Sequence, residues 1–325
     1  MILFSIIIPV KEINDYLRKE TIPAILKQTA QNFEIIILPD RPTKEKFPKT
    51  RIIPTFPKTG PADKRDIGAR CARGCILAFL DDDSYPDKRW LKNAEKVFGE
   101  NKDYVAVGGP SLTPPKNNIY QKASGFVWST WLGSGGAGTY RASIGARRLV
   151  DDFPSVNLMV RKKSFRQIGG FDSHFWPGED TKLCYDLVYK LGKSIVYDPK
   201  VIVYHHRRAV FRDHLKQISR YAIHRGHFAR IYPKSSFRFG YFIPTFFTFG
   251  LIIGPLIFSV IPFAKYLYFM TLFIYFCLLS VTMIYIYFRE KKAVLAMLSG
   301  VSIVVTHLVY GALFVIGFFT PRLKR

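Results

Sequence analysis

Cys75-Ile76-Leu77-Ala78-Phe79-Leu80-Asp81-Asp82-Asp83 is the stretch that decides the fold. An apolar run without polar alternation reads as a strand covered on both faces, the habit of a parallel sheet. It stops at three consecutive carboxylates. Like charges this close repel unless something positive lies between them. Alternate residues of an extended segment point the same way, which sets Asp81 and Asp83 on one side. Hard oxygen ligands beside a phosphate-bearing partner suit Mg2+ or Mn2+. An acidic turn that merely ends a strand is the plainer alternative; Pro86 and Trp90 just beyond it weigh against that.

The same texture recurs on both sides. Residues 5–10 (Ser-Ile-Ile-Ile-Pro-Val) and 33–38 (Phe-Glu-Ile-Ile-Ile-Leu) read as buried strands, and 104–107 as another. Residues 16–30 carry Leu17, Ile22, Ile25 and Leu26 in a helical pattern. Residues 62–73 predict a helix closed by Gly74. This β-α-β-α-β rhythm predicts an α/β fold, with an open, Rossmann-like, mostly parallel central sheet and a crevice at the carboxyl ends of its strands. Asp40, after the second strand, and Asp81–Asp83 fall at those ends.

Two further clusters carry chemistry. In Phe175-Trp176-Pro177-Gly178-Glu179-Asp180, aromatics lead into two acids at the start of a helical stretch, 182–191. A carboxylate held there suits a general base; it serves equally as a helix cap. Residues 201–204 read as a strand that ends in His205-His206-Arg207-Arg208. Such a set completes a metal shell or holds a diphosphate, or it is a solvated basic turn. The run Gly133-Ser134-Gly135-Gly136-Ala137-Gly138 satisfies G-x-G-x-x-G, but no helical period follows it, so a dinucleotide site is not expected there; a flexible loop near an acceptor is.

The chain has 325 residues, a net charge of +24 and 22% charged residues, a mixture that excludes disordered and fibrous classes. Four cysteines are too few for a disulfide framework, and Cys71 and Cys75 lack a second pair at zinc spacing. Residues 4–10 meet Pro9 and then charge, unlike a signal peptide. Hydrophobicity gathers at the end: residues 241–263, 266–288 and 293–320 carry no charge, each longer than the roughly 20 residues that cross a bilayer. The expected organisation is a catalytic domain at 1–210, a basic amphipathic interface helix and linker at 211–240, and a membrane domain at 241–325. Phe211, Leu215, Ile218 and Ala222 share one face of the interface helix; Arg212, Lys216 and Arg220 share the other, suited to anionic lipid. The positive-inside rule places the soluble part and Arg289–Lys292 in the cytoplasm. A full third span would put Arg322, Lys324 and Arg325 outside, against that rule, so the last segment reads as a third span or as re-entrant. His307 within it either faces neighbouring helices or lines a path. Charge alone would also suit nucleic acid, but no recognition motif supports that partner.

Taken in order, residues 5–9, Lys64-Arg65-Asp66-Ile67-Gly68, residues 79–83, Gly169-Gly170-Phe171-Asp172, Gly178-Glu179-Asp180 and residues 217–221 (Gln-Ile-Ser-Arg-Tyr) resemble the motifs of family 2 glycosyltransferases of the GT-A fold, over roughly residues 3–230. The resemblance implies inverting transfer of a sugar from a nucleoside-diphosphate sugar, with Mg2+ or Mn2+ as cofactor. It implies donor contacts at Pro9, Asp40, Lys64, Arg65, Asp81 and Asp82, with Asp40 on the base and Arg65 on the nucleotide or its diphosphate. Asp81 and Asp83 match the metal-binding pair, joined by His205 or His206. Asp180 matches the catalytic base, with Glu179 beside it. Asn157, Trp176 and Arg220 fall on the acceptor side. The hydrophobic spans and basic helix add the expectation of a lipid-linked acceptor, a polyprenyl phosphate or a lipid-bound glycan, at a cell membrane with the catalytic domain cytoplasmic. Cys75 replaces a common Asp, and Val10-Lys11-Glu12 lacks the usual aromatic contact with the base. Tyr221 stands where processive synthases carry Trp, which argues against a polysaccharide synthase. The intact acids argue against a non-catalytic membrane scaffold.

Overall fold

The computed structural model describes residues 2–57, 59–136, 138–171, 175 and 177–323. Trp176, expected on the acceptor side, lies outside them, as does Asp172. In chain order the elements are β1 (Phe4–Pro9), α1 (Ile22–Leu26), β2 (Phe33–Leu38), β3 (Thr50–Ile52), α2 (Pro61–Cys71), β4 (Ile76–Leu80), β5 (Ser84–Pro86), α3 (Trp90–Glu100), β6 (Tyr104–Gly108), β7 (Ser111–Leu112) and α4 (Ile119–Ser129). Then come β8 (Arg148–Val150), β9 (Asn157–Arg161), α5 (Lys162–Gln167), α6 (Glu179–Tyr185), β10 (Ser194–Tyr197), β11 (Val203–His205), α7 (Arg212–Ile231), α8 (Pro233–Ser236), α9 (Phe239–Val260), α10 (Ala264–Glu290) and α11 (Ala293–Phe319).

The chain forms two compact units. Among the described residues, one comprises the chain up to Pro114 together with Ile144–His206; the other comprises Pro115–Ser143 and residues 207–323. The expected continuous domain over 1–210 is therefore interrupted by an excursion. The reason is a long-range contact: α4 carries Ala123, Phe126 and Val127 as an apolar face, which is buried among Ile286, Leu295, Ala296 and Ile303.

The first unit is built on an eight-stranded sheet of order β3-β2-β1-β4-β9-β6-β10-β8. β1 runs parallel to β2 and to β4, pairing Pro9 with Leu38 and Ile7 with Phe79. β9 lies antiparallel between β4 and β6, and β8 closes the edge antiparallel to β10. The remainder is parallel, as the strand texture predicts. Every residue of β1, β2 and β4 is buried. Ile6, Ile8, Ile35 and Ile37 share a core with Leu17, Ile25, Trp90 and Leu91. On the other face Phe79 meets Phe171 edge-on at 4.9 Å. Full cover on both faces is what removes the polar alternation from these strands.

β1 leads outward to β2 and β3, and the chain then returns to β4 on β1's other side, so the switch point of the sheet lies between β1 and β4. A second sheet of order β5-β11-β7 stands beyond it, with His205 of β11 opposite Ser84 of β5. Gly74 is not the cap of α2: that helix ends at Cys71 with Ala72 extended. A side chain at Gly74 would instead sit 2.7 Å from the backbone of Phe4, so the glycine permits close approach to β1.

The second unit is helical. α9, α10 and α11 are each long and apolar enough to cross a membrane by length and composition. α11 is one unbroken helix of 27 residues, not two half-helices around a break. The glycine run at 133–138 follows α4, not a strand, which agrees with setting aside a dinucleotide site.

Candidate active site

The residues that converge in the first unit come from the carboxyl ends of β1, β2 and β4 and from α2, α6 and β11. Asp81 and Asp83 leave β4, and the β5–β11 pairing brings His205 beside them. One ligand atom from each of Asp81, Asp83 and His205 lies within 4.8 Å of the others. His205 Nε2 is 3.2 Å from Asp83 Oδ1. Two carboxylates and an imidazole at this spacing form a hard oxygen and nitrogen set that fits a divalent cation such as Mg2+ or Mn2+.

His206 faces elsewhere. Its ring stacks on Tyr16 at 4.2 Å and its Nε2 is 3.1 Å from Glu20 Oε2, while its backbone N–H donates to the Asp83 carbonyl. Successive side chains of an extended segment point to opposite faces, so only one of the two histidines joins the acids. Asp82 likewise points away from its neighbours and accepts from Asn14 Nδ2 at 2.5 Å. Asn14, Tyr16 and Glu20 carry no sequence signal for this duty; only the tertiary contact shows it.

α2 supplies three consecutive side chains with three tasks. Lys64 is buried, pairs with Asp40 and donates to the Val10 carbonyl. Arg65 is buried and forks, reaching Asp81 Oδ1 at 2.7 Å and Glu179 Oε1 at 3.0 Å. Its guanidinium also lies 5.6 Å above the ring of Phe171. Asp66 accepts from the Phe171 N–H at 3.0 Å. The Gly-Gly-Phe motif at 169–171 thus packs beneath the arginine. Pro9 is buried in β1, and beside Asp40 a cavity of about 530 Å3 opens, lined by Lys11, Glu12, Pro39, Arg41 and Thr43.

Charge balance around Arg65 is strained by burial. Burial disfavours its charged form, but Asp81 and Glu179 outweigh that and raise its pKa. Burial, with Asp180 next door, pushes the Glu179 carboxyl up to about 7 against the pull of Arg65. Glu179 is therefore a partner of Arg65, fully committed inside the protein. Asp180 is less buried; it accepts from the Ser155 N–H at 3.3 Å and from the Thr181 N–H at 2.8 Å, at the head of α6. Arg65→Ala leaves two acids without their counter-charge, and the expected loss of stability is about 3–5 kcal/mol, read by thermal unfolding in detergent.

Asp66 gives a second measurable consequence. Burial raises its pKa from 3.8 to about 6. An acid with a raised folded pKa favours the native state below its unfolded pKa and loses that contribution as pH rises through the folded value. Asp66→Asn keeps an acceptor for Phe171 and carries no charge. The variant's Tm is expected to match the parent at pH 4 and to exceed it at pH 7; an equal difference at both values would contradict this.

Asn157, expected on the acceptor side, is fully buried instead. Its Oδ1 accepts from Trp90 Nε1 at 2.8 Å, and its Nδ2 donates to the carbonyls of Gly109 and Val201. It ties β9 to α3 and to the segments that lead into β7 and β11, which uses both ends of its amide. Arg220 is exposed on α7 in the second unit.

An open α/β sheet with acids and a histidine gathered at its switch point has the GT-A architecture. Residues 5–169 match the family described as Glycosyl transferase family 2, and the chain belongs to that family. It is 30% identical over 158 residues to a pre-mycofactocin glycosyltransferase of Mycobacterium tuberculosis, covering 47% of this chain and 32% of that protein. It is 21% identical over 206 residues to a glucosyl-dolichyl phosphate glucuronosyltransferase of Haloferax volcanii, covering 57% and 63%. The chain thus spans about a third of the first relative and under two thirds of the second. A mannosyltransferase of Pyrobaculum calidifontis, solved in complex with GDP-Man and Mn2+, shares the fold at a TM-score of 0.58 and 15% identity, over 94% of this chain and 86% of its own.

Proposed function

We propose that this protein is an inverting, divalent-cation-dependent glycosyltransferase that moves a sugar from a nucleoside-diphosphate sugar to a lipid-linked acceptor at the cytoplasmic face of a cell membrane. One observation carries the reading: Asp81, Asp83 and His205 gather at the switch point, and Arg65 links Asp81 to the head of the helix that bears Asp180.

The donor base enters the cavity beside Asp40, whose carboxylate is held in place by Lys64. Asp81, Asp83 and His205 would hold the cation, which when bound supplies positive charge against the departing diphosphate. Arg65 adds a fixed, buried positive charge next to Asp81 and needs no reorganisation to do so. On the attacking side Asp180 accepts the proton of an acceptor hydroxyl, its carboxylate oriented by the N–H groups of Ser155 and Thr181. Glu179 keeps Arg65 in position. The Haloferax relative, named for a dolichyl-phosphate-linked substrate, and the three apolar helices support a lipid-linked acceptor.

The test is transfer by the purified protein in lipid nanodiscs. A panel of nucleotide sugars would be offered with a polyprenyl phosphate acceptor, with Mn2+, with Mg2+ and with chelator. One donor consumed only with cation, yielding a glycolipid, supports the reading. Cation-dependent hydrolysis without a glycolipid rejects the acceptor. No donor binding rejects the enzyme.

A further inference from the structure

The contacts inside the helical unit are not those of three helices crossing a bilayer side by side. α11 meets α10 along its first half: Met283 lies against Gly300, Ile286 packs with Leu295 and Ala296, and the Tyr275 hydroxyl is 3.0 Å from His307 Nδ1. It meets α9 along its second half: Thr248 Oγ1 donates to the His307 carbonyl, Thr245 Oγ1 donates to the Gly311 carbonyl, and Phe242 meets Phe314. Beyond Phe247 and Tyr275, which stack at 4.1 Å, α9 and α10 continue against each other, as with Phe258 and Tyr268. There Ile252, Leu256, Val260, Leu267 and Phe273 are all more than 60% exposed. From Thr248 to the end of α9 this arm measures about 18 Å at helical rise. α11 is thus a bar across the base of the α9–α10 hairpin, not a third companion to it.

The other side of α11 is covered by α4 and α7. Ser124 of α4 and Thr306 of α11 bond the two ring nitrogens of His214, at 2.8 and 3.0 Å. From there α7 and α11 run in the same direction. Gly226 and Gly317 allow each backbone to touch the other helix, and α7 ends with His227 and Arg230 on the Thr320 carbonyl at 3.0 and 2.6 Å. The buried face of α7, which includes His214, Ile218, Ala222 and Gly226, is therefore spent on protein. Arg212, Lys216 and Arg220 stay exposed on its outside, and Arg230 is exposed at its end.

These facts conflict with a spanning α11. Its start follows Arg289–Lys292. Its middle, Thr306, is tied to His214, which stands eight residues beyond the last residue of the transferase unit. Its end is tied to the end of α7. To cross, α11 would carry a helix with four exposed basic residues through hydrocarbon, where each is costly. We infer that α11 does not cross the bilayer. It lies in the membrane interface as a shelf, with the apolar α9–α10 hairpin on its lipid side and the basic face of α7 at the headgroups, which must be anionic to match that charge. The chain's end then stays on the side of the transferase unit. The charge pattern agrees independently: Arg322, Lys324 and Arg325 then obey the positive-inside rule, which a third crossing would break.

This inference rests on the membrane reading of the helical unit, and the test separates the two. In full-length protein with Cys71, Cys184 and Cys277 replaced by serine, the exposed native Cys75 reports the transferase side. Arg322→Cys is then made in the same chain without Cys75, and each protein is labelled in sealed vesicles with a membrane-impermeant maleimide. Both sites are expected to label to the same extent in the same vesicle orientation. Labelling of Arg322→Cys only from the opposite side, or only after permeabilisation, overturns the inference. Release of the protein by alkaline carbonate would overturn the membrane reading, and this inference with it. Should the cysteine replacements disturb assembly, a protease-cleavable tag after Arg325 of the unaltered chain reads the same side.

Discussion

Asp180→Asn is expected to leave nucleotide-sugar affinity within about threefold and to lower transfer to a hydroxyl acceptor by about 10³-fold, within the usual span of general-base contributions. The asparagine keeps the size of the side chain and can still accept from one of the two N–H groups, that of Thr181, since Ser155 and Thr181 donate to different carboxylate oxygens. What it loses is the capacity to take a proton. In the proposed function donor binding falls elsewhere, to the cavity beside Asp40 and the Asp81, Asp83 and His205 group. A phosphate acceptor is already ionised near neutral pH, so for it Asp180 would orient and not deprotonate, and the loss should shrink to about tenfold. The size of the effect therefore reports the acceptor class. Isothermal titration with donor, beside single-turnover transfer, separates the two quantities. A parallel loss of binding and transfer would remove Asp180 from the role of base.

Asp83→Ala is expected to weaken cation-dependent donor binding by at least about 100-fold, the upper range found when the partners of a metal ligand are removed. Two effects combine. The variant deletes one of three candidate ligands, and it strips His205 Nε2 of the carboxylate 3.2 Å away. Asp81 remains, but it is shared with Arg65. Binding measured across a Mn2+ titration checks this: the parent should gain affinity as the ion is added and the variant should not. His206→Ala is the informative contrast. Its ring lies on Tyr16 and Glu20, away from the acids, so the ion dependence should persist even if the sheet is loosened.

In the proposed function these two variants probe the leaving side and the attacking side of one site. Arg65 joins them. It bonds both Asp81, one of the candidate metal ligands, and Glu179, the residue that opens α6. Arg65→Lys would lose this double contact, because a single ammonium on a flexible stem cannot reproduce a planar fork.

Much of the transferase unit was legible from residue order. Buried parallel strands announce themselves because cover on both faces leaves no polar position, and β1, β2, β4 and β6 fall within a residue of where the apolar runs place them. Carboxylates after such strands announce a crevice, because parallel strands end on a common side. The antiparallel β9 did not stand out, since Asn157-Leu-Met-Val-Arg161 is short and its burial depends on neighbours from distant parts of the chain.

Sequence alone determined the α/β class, the acids at the strand ends and the apolar character of the last 80 or so residues. These are properties of local pattern: period, charge and length. Tertiary structure decided which of two adjacent histidines meets the acids, that Asn157 is a strut, that Glu179 serves Arg65, and that residues 115–143 pack with the C-terminal helices. It also decided that α7 turns its small-residue face to α11. Each of these is a choice of partner between segments far apart in the chain. Hydropathy records how much a side chain avoids water; it does not record which surface relieves it, and only packing settles that.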